Sequence, residues 1–151
     1  LKGEIKMGCD IHMRVEYKKN GEDFWRTGEH YQKDTFYGGY EIVPVYSGRN
    51  YELFGLLAGV RGGMRPISLP RGIPDDATDD TKTDYLSWGN YAHSASWYDY
   101  EKLREYYEEK ADMDAEDAME DLMRLLEERL YSIPVWTSNG DKMRIIFWFD
   151  N

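Results

Sequence analysis

A chain of 151 residues with 32% charged and 15% aromatic residues is long enough for one domain with a sizeable core, and no apolar run approaches the ~20 residues that span a bilayer. A formal net charge of −10 excludes generic binding to nucleic-acid backbones, where affinity comes from Lys and Arg displacing cations. The single cysteine, Cys9, excludes an internal disulfide framework and is expected of a cytoplasmic protein. Leu1 to Lys6 carry no pattern and are expected to be an extension, with a single domain over residues 7–151.

From Cys9 the residues alternate. Cys9, Ile11, Met13, Val15 and Tyr17 share one face, and Asp10, His12, Arg14 and Glu16 the other, which is the period of a strand. Asn20-Gly21 followed by Phe24-Trp25-Arg26 predicts a hairpin. Tyr40 to Tyr46 reads as a further strand, with Pro44 at an edge or bulge. Tyr51 to Ala58 reads as a short helix ended by Gly59. Val60 to Ser87 is expected to be one long Arg/Gly/Pro-rich connection that ends in an acidic run.

Asp99 is placed to cap a helix running to about Lys110, and a second helix starts near Asp112 or Asp114. In the latter, Ala115, Ala118, Met119, Leu122, Leu125 and Leu126 form a stripe of helical period. Val135-Trp136, Ser138-Asn139-Gly140-Asp141 and Met143 to Phe149 predict a closing hairpin. Ile145 to Phe149 is apolar at every position, so this strand is expected at the centre of a sheet, covered on both sides. The class that follows is α+β: an antiparallel sheet built from terminal hairpins and packed against two or three helices.

Three groups of residues carry candidate chemistry. Arg49, Arg61, Arg65 and Arg71 fall between Ser47 and Pro74 with only Glu52 to oppose them and no lysine. Guanidinium forks on glycine-rich loops suit a carboxylate or phosphate, while pairing with the nearby aspartates is the structural alternative. Asp10 and His12 point the same way from one strand and, joined by His93, would be candidate catalytic or divalent-metal ligands. Trp88, Ser94, Ser96 and Trp97 lie in a segment dense in rings and hydroxyls that suits a pocket lining, or else a loop pinned to the sheet. No Gly-x-Ser-x-Gly elbow surrounds Ser94, and the Gly-Asp and Gly-Asn-His motifs of calcineurin-like phosphoesterases are missing.

Met7-Gly8-Cys9-Asp10-Ile11-His12, Arg49-Asn50-Tyr51-x-Leu53-Phe54, Leu57-Ala58-Gly59-Val60-Arg61-Gly62, His93-Ser94-x-Ser96-Trp97 and the closing Phe147-Trp148-Phe149-Asp150-Asn151 occur in that order. Together they resemble a family of small uncharacterised phage and prophage proteins. The resemblance implies a stand-alone cytoplasmic protein of phage type and carries no activity.

Two functions are therefore expected as alternatives. One is binding of an anionic small molecule, such as a nucleotide, by the arginines with Trp88 or Trp97 stacking; a metal-assisted hydrolase would add Asp10, His12 and His93. The other is an interaction protein whose acidic helical region, Glu101 to Arg129, with twelve acids against five bases, docks a basic protein partner.

Overall fold

The structure is a computed structural model that describes residues 8–132 and 140–151. The chain begins with β1 (Asp10–Lys18), turns at Asn20-Gly21, and returns as the two-residue strand β2 (Arg26–Thr27). A separate hairpin of β3 (His30–Lys33) and β4 (Tyr40–Val43) follows. After α1 (Tyr51–Ala58) come α2 (Asp79–Ser87), a 3₁₀ turn at Gly89–Tyr91 and β5 (His93–Asp99). The chain then forms α3 (Tyr100–Glu105), a π-helical turn at Tyr106–Lys110, α4 (Met113–Ser132) and finally β6 (Lys142–Asp150).

The main sheet is antiparallel with order β2-β1-β6-β5, so the class is α+β. β6 is central: it pairs along its whole length with β1, from Asp10 opposite Asp150 to Lys18 opposite Lys142, and with β5 on its other side. Its apolar run is covered on both faces because both sets of alternating side chains are buried. Met143, Ile145, Phe147 and Phe149 enter the main core, and Ile146 and Trp148, both 0% exposed, are buried on the opposite side. The main core also takes Ile11, Met13 and Val15 from β1, Leu53, Phe54 and Leu57 from α1, and Met119, Leu122 and Leu126 from α4.

Local chemistry explains the helix ends. The Asn50 side chain accepts from the N–H of Leu53 at the start of α1, and Gly59 ends it at φ 71°. A Cβ on Gly55 would stand 2.9 Å from Cα of Gly62, so these glycines let the loop fold back against the helix. Asp112 caps α4 through the N–H of Ala115.

Four expectations need correcting. The connection from Val60 to Ser87 ends in α2, whose N-terminus is set by Thr78 accepting from the N–H of Thr81. Its apolar content is too low for a core-facing helical stripe, so periodicity could not show it. The segment before Asp99 is a strand, β5, and not only a loop. Asp99 stands at the start of α3 without making a side-chain cap, and the helix changes to a π turn after Glu105. The polar face of β1 is not wholly open to solvent: α2 covers its Arg14 and Glu16 end, leaving them 4% and 0% exposed, while Asp10 stays exposed. The proposed strand at Val135-Trp136 lies outside the described residues, as does the extension 1–6.

Candidate functional site

The polar face of β1 is built as an ionic layer. Glu16 accepts from Arg144 Nη2 at 2.7 Å and Nε at 3.0 Å, and its other oxygen accepts from the N–H of Thr78 and the hydroxyl of Thr81, both at 2.8 Å. One buried carboxylate thus neutralises a strand arginine and ties down the start of α2. Arg144 also reaches Asp76 at 2.8 Å and lies 3.8 Å from the Trp25 ring. Burial raises the Asp76 carboxyl, and the hydrogen bond and charge of Arg144 outweigh it, holding the group below the usual carboxylate range.

Arg14 contacts Asp84 of α2 at 3.2 Å and Glu29 at 3.5 Å. Burial pushes the Glu29 carboxyl up, against the N–H of Val15 and the charges of Arg14 and Arg129.

The outer edge of β1 is where this layer meets solvent. Gly28 donates its N–H to the carbonyl of Val15 at 2.8 Å, and a Cβ there would stand 2.9 Å from Val15 Cγ1. The chain then turns away, and the Glu29 carboxylate replaces the missing strand by accepting the Val15 N–H at 2.5 Å. At the other end the N–H of Cys9 donates to the Tyr51 hydroxyl at 3.2 Å. Alternation along an antiparallel strand therefore points the N–H and C=O of Ile11 and Met13 outward too. Among the described residues, no hydrogen bond takes them.

These two residues border a cavity of about 780 Å³. Their side chains are in the core, 4% and 2% exposed, so the cavity meets them along the strand edge. One wall is Tyr31, Tyr40, Ile42, Pro44 and Ser47 from the β3–β4 hairpin and the chain after it. The other is Asp80, Thr83, Asp84 and Ser87, spaced as one face of α2.

Asp10 and His12 line the same groove. They share a face, as expected, but their partners are other groups. His12 Nε2 lies 2.8 Å from Asp150 Oδ1, and its ring is 3.9 Å from the Trp88 ring. Asp10 accepts both Nε and Nη2 of Arg49, at 3.0 and 2.8 Å. His93 is opposite Phe149 in the sheet register, so it belongs to the other face; its ring nitrogens meet Ser94 and Asn151. Among the described residues no three His, Cys, Asp or Glu side chains are grouped to hold one metal ion.

The loop arginines take separate places. Arg49 holds Asp10. Arg61, at φ 64°, lies 5.7 Å from the Tyr51 ring. Arg65 is exposed beside Met64, Pro66 and Tyr106 at another cavity. Arg71 lies 3.8 Å from the Trp97 ring centroid and donates to the Trp97 carbonyl, and its own N–H donates to the hydroxyl of buried Ser96 at 3.2 Å. Ser94 stands at φ 55° where β5 slips register against β6. Trp97, Ser96 and Arg71 therefore pin the loop to β5, and none of the four arginines lines the large groove.

Sequence reasoning missed the groove because its floor is backbone and one wall is α2. The spacing of Asp80, Thr83, Asp84 and Ser87 was the available signal. Cys9, 0% exposed, is a core residue whose thiol is pushed up by burial. No helix among the described residues is long and apolar enough to cross a membrane. No protein-family model matches the chain, and no significant match was found among curated proteins or solved structures.

Proposed function

We propose that the protein is a binding module that takes an extended peptide segment as an added strand on the edge of β1. The observation that carries this reading is the pair of unclaimed backbone edges at Ile11 and Met13 on the floor of the groove. A sheet edge offers a row of donors and acceptors to any chain with the same repeat, and its walls then select side chains. Here the edge is interrupted on one side by Glu29 and on the other by Tyr51, which limits the site to a short segment. From Asp10 to Arg14 it spans about 14 Å at ~3.4 Å per residue. Amide hydrogen exchange tests it: a bound extended peptide protects the amides of Ile11 and Met13, and peptide binding that leaves both exchanging at their free rate refutes the reading.

A second reading, an anionic small molecule held by the loop arginines, has one observation in its favour. Arg49 already holds a carboxylate with two N–H donors at the surface, with both side chains 52% exposed. A phosphate competing for Arg49 would raise the unfolding temperature, with about 2.7 kcal/mol of stabilisation at a hundred times Kd. Arg49→Ala should remove that shift. A screen of nucleotides and inorganic phosphate in which no compound gives a shift ends this reading.

A further inference from the structure

We infer that the segment added to β1 is a basic one, with lysine or arginine at alternate positions and apolar residues between them. The inference rests on strand addition at the β1 edge and adds the chemical class of the partner. A strand continuing the sheet must send successive side chains to opposite faces. The two walls of the groove lie on those two faces and differ in kind.

The α2 wall stands over the polar face, as its bonds to Glu16 and Arg14 show. It presents Asp80 and Asp84, with Thr83 between them as a hydroxyl acceptor. Arg14 answers Asp84 from below, and Arg49 answers Asp10 at the end of the groove. Asp80 is exposed and makes no ion pair among the described residues, so it is the charge left for an incoming cation.

The hairpin wall leads into Val45 and Tyr46, which are buried in the main core. It presents the rings of Tyr31 and Tyr40, 50% and 77% exposed, and these suit an apolar or aromatic side chain. A net charge of −10 also draws a basic segment in and repels an acidic one.

The test uses the full chain and three synthetic peptides of equal length, followed by fluorescence anisotropy at low salt. One alternates lysine with valine, one alternates glutamate with valine, and the third is the lysine peptide with alternate backbone nitrogens methylated. The expected result is binding of the lysine peptide at least tenfold tighter than either of the others, with its advantage over the glutamate peptide reduced in Asp80→Lys.

Equal binding of the lysine and glutamate peptides overturns the basic class and leaves strand addition standing, provided methylation still abolishes binding. Binding that survives methylation overturns strand addition itself. No binding by any peptide overturns both. Pairing of two copies through the same edge, seen as a dimer in sedimentation that the lysine peptide does not dissociate, also overturns the basic-peptide assignment. Circular dichroism of Asp80→Lys, a change at an exposed first-turn position, checks that the fold is kept.

Discussion

On one face of the sheet Phe147, Phe149, Ile145 and Met13 meet Phe54, Leu57, Met119 and Leu122, an apolar cluster. On the other, the same strands present Arg144, Glu16, Arg14 and His12, with Ile146 and Trp148 between them. The first face is held by shape, since dispersion and the removal of apolar surface from water need no fixed direction. The second is held by directed bonds: α2 buries few apolar groups and is tied down through Glu16 and Asp84. A helix attached in this way leaves its neighbour's edge uncovered, which is how the groove beside β1 arises.

The largest effects should separate the two faces. Phe147→Ala is expected to cost about 3–5 kcal/mol by leaving a cavity in a packed core. Arg144→Ala is expected to cost a similar amount, about 3–5 kcal/mol, for a different reason: it leaves Glu16 buried without its countercharge. Adding Glu16→Gln distinguishes them. Glutamine still accepts from Thr78 and Thr81 but carries no charge, so Glu16→Gln/Arg144→Ala should be more stable than Arg144→Ala alone. Urea unfolding measures all four variants. A double variant as unstable as the sum of its singles would mean that the ionic face, too, is held by shape.

A smaller effect concerns pH. The Glu29 carboxyl is raised by burial, so between the unfolded value of about 4.3 and its higher native value the native state binds more protons than the unfolded chain. Stability from this group is therefore lost as pH rises through that window, and the loss is complete above it. Glu29→Gln, which has nothing to ionise, should gain on the parent protein as pH rises from the unfolded carboxyl value of about 4.3, as read from the difference of their denaturation curves. If the parent gains instead, the guanidiniums of Arg14 and Arg129 outweigh burial.

The contrast also explains what could be read from the sequence. The apolar face was legible because its information is periodic: the alternation in β1 and the stripe of α4 are visible without any partner. The central position of β6 followed from Ile145 to Phe149 being apolar throughout. The ionic face was not legible, because Glu16, Asp76, Thr78 and Arg144 are brought together from 128 residues of separation and no local pattern joins them. The same holds for the candidate site. Asp10 and His12 were found as one pair on one face, but the partner of His12, Asp150, depends on the register of β1 against β6, and the partner of Asp10, Arg49, comes from the loop before α1. His93 falls on the other face because β5 pairs with β6 so that it stands opposite Phe149.

Tyr51→Phe should have a moderate effect, about 0.5–1.5 kcal/mol, by taking away the acceptor of the Cys9 N–H. It also sharpens the comparison at the groove. Removing that hydroxyl lengthens the free edge of β1 by one donor, so a peptide that adds as a strand should bind Tyr51→Phe at least as well as the parent although the fold is weaker. Affinity and stability measured on the same samples should move in opposite senses. A parallel fall in both would place Tyr51 in the binding surface and not at its boundary.

The smallest effect belongs to Arg49 and Asp10, an ion pair whose geometry matches that of Arg144 and Glu16. Two donors converge on one oxygen at 2.8–3.0 Å, shorter than the Arg14 contacts. Both side chains are half exposed, so water and salt already satisfy the separated charges, and ordering two side chains offsets what attraction remains. Arg49→Ala and Asp10→Asn should each leave the unfolding midpoint unchanged, while Arg144→Ala, whose partner Glu16 is on the same strand as Asp10, shifts it strongly. The distances alone predict nearly equal effects, since Arg144 meets Glu16 at 2.7 and 3.0 Å and Arg49 meets Asp10 at 2.8 and 3.0 Å. A clear loss of stability in Arg49→Ala would show that this end of β1 belongs with the buried ionic layer. An unchanged midpoint would leave Arg49 free to exchange Asp10 for a ligand without cost to the fold.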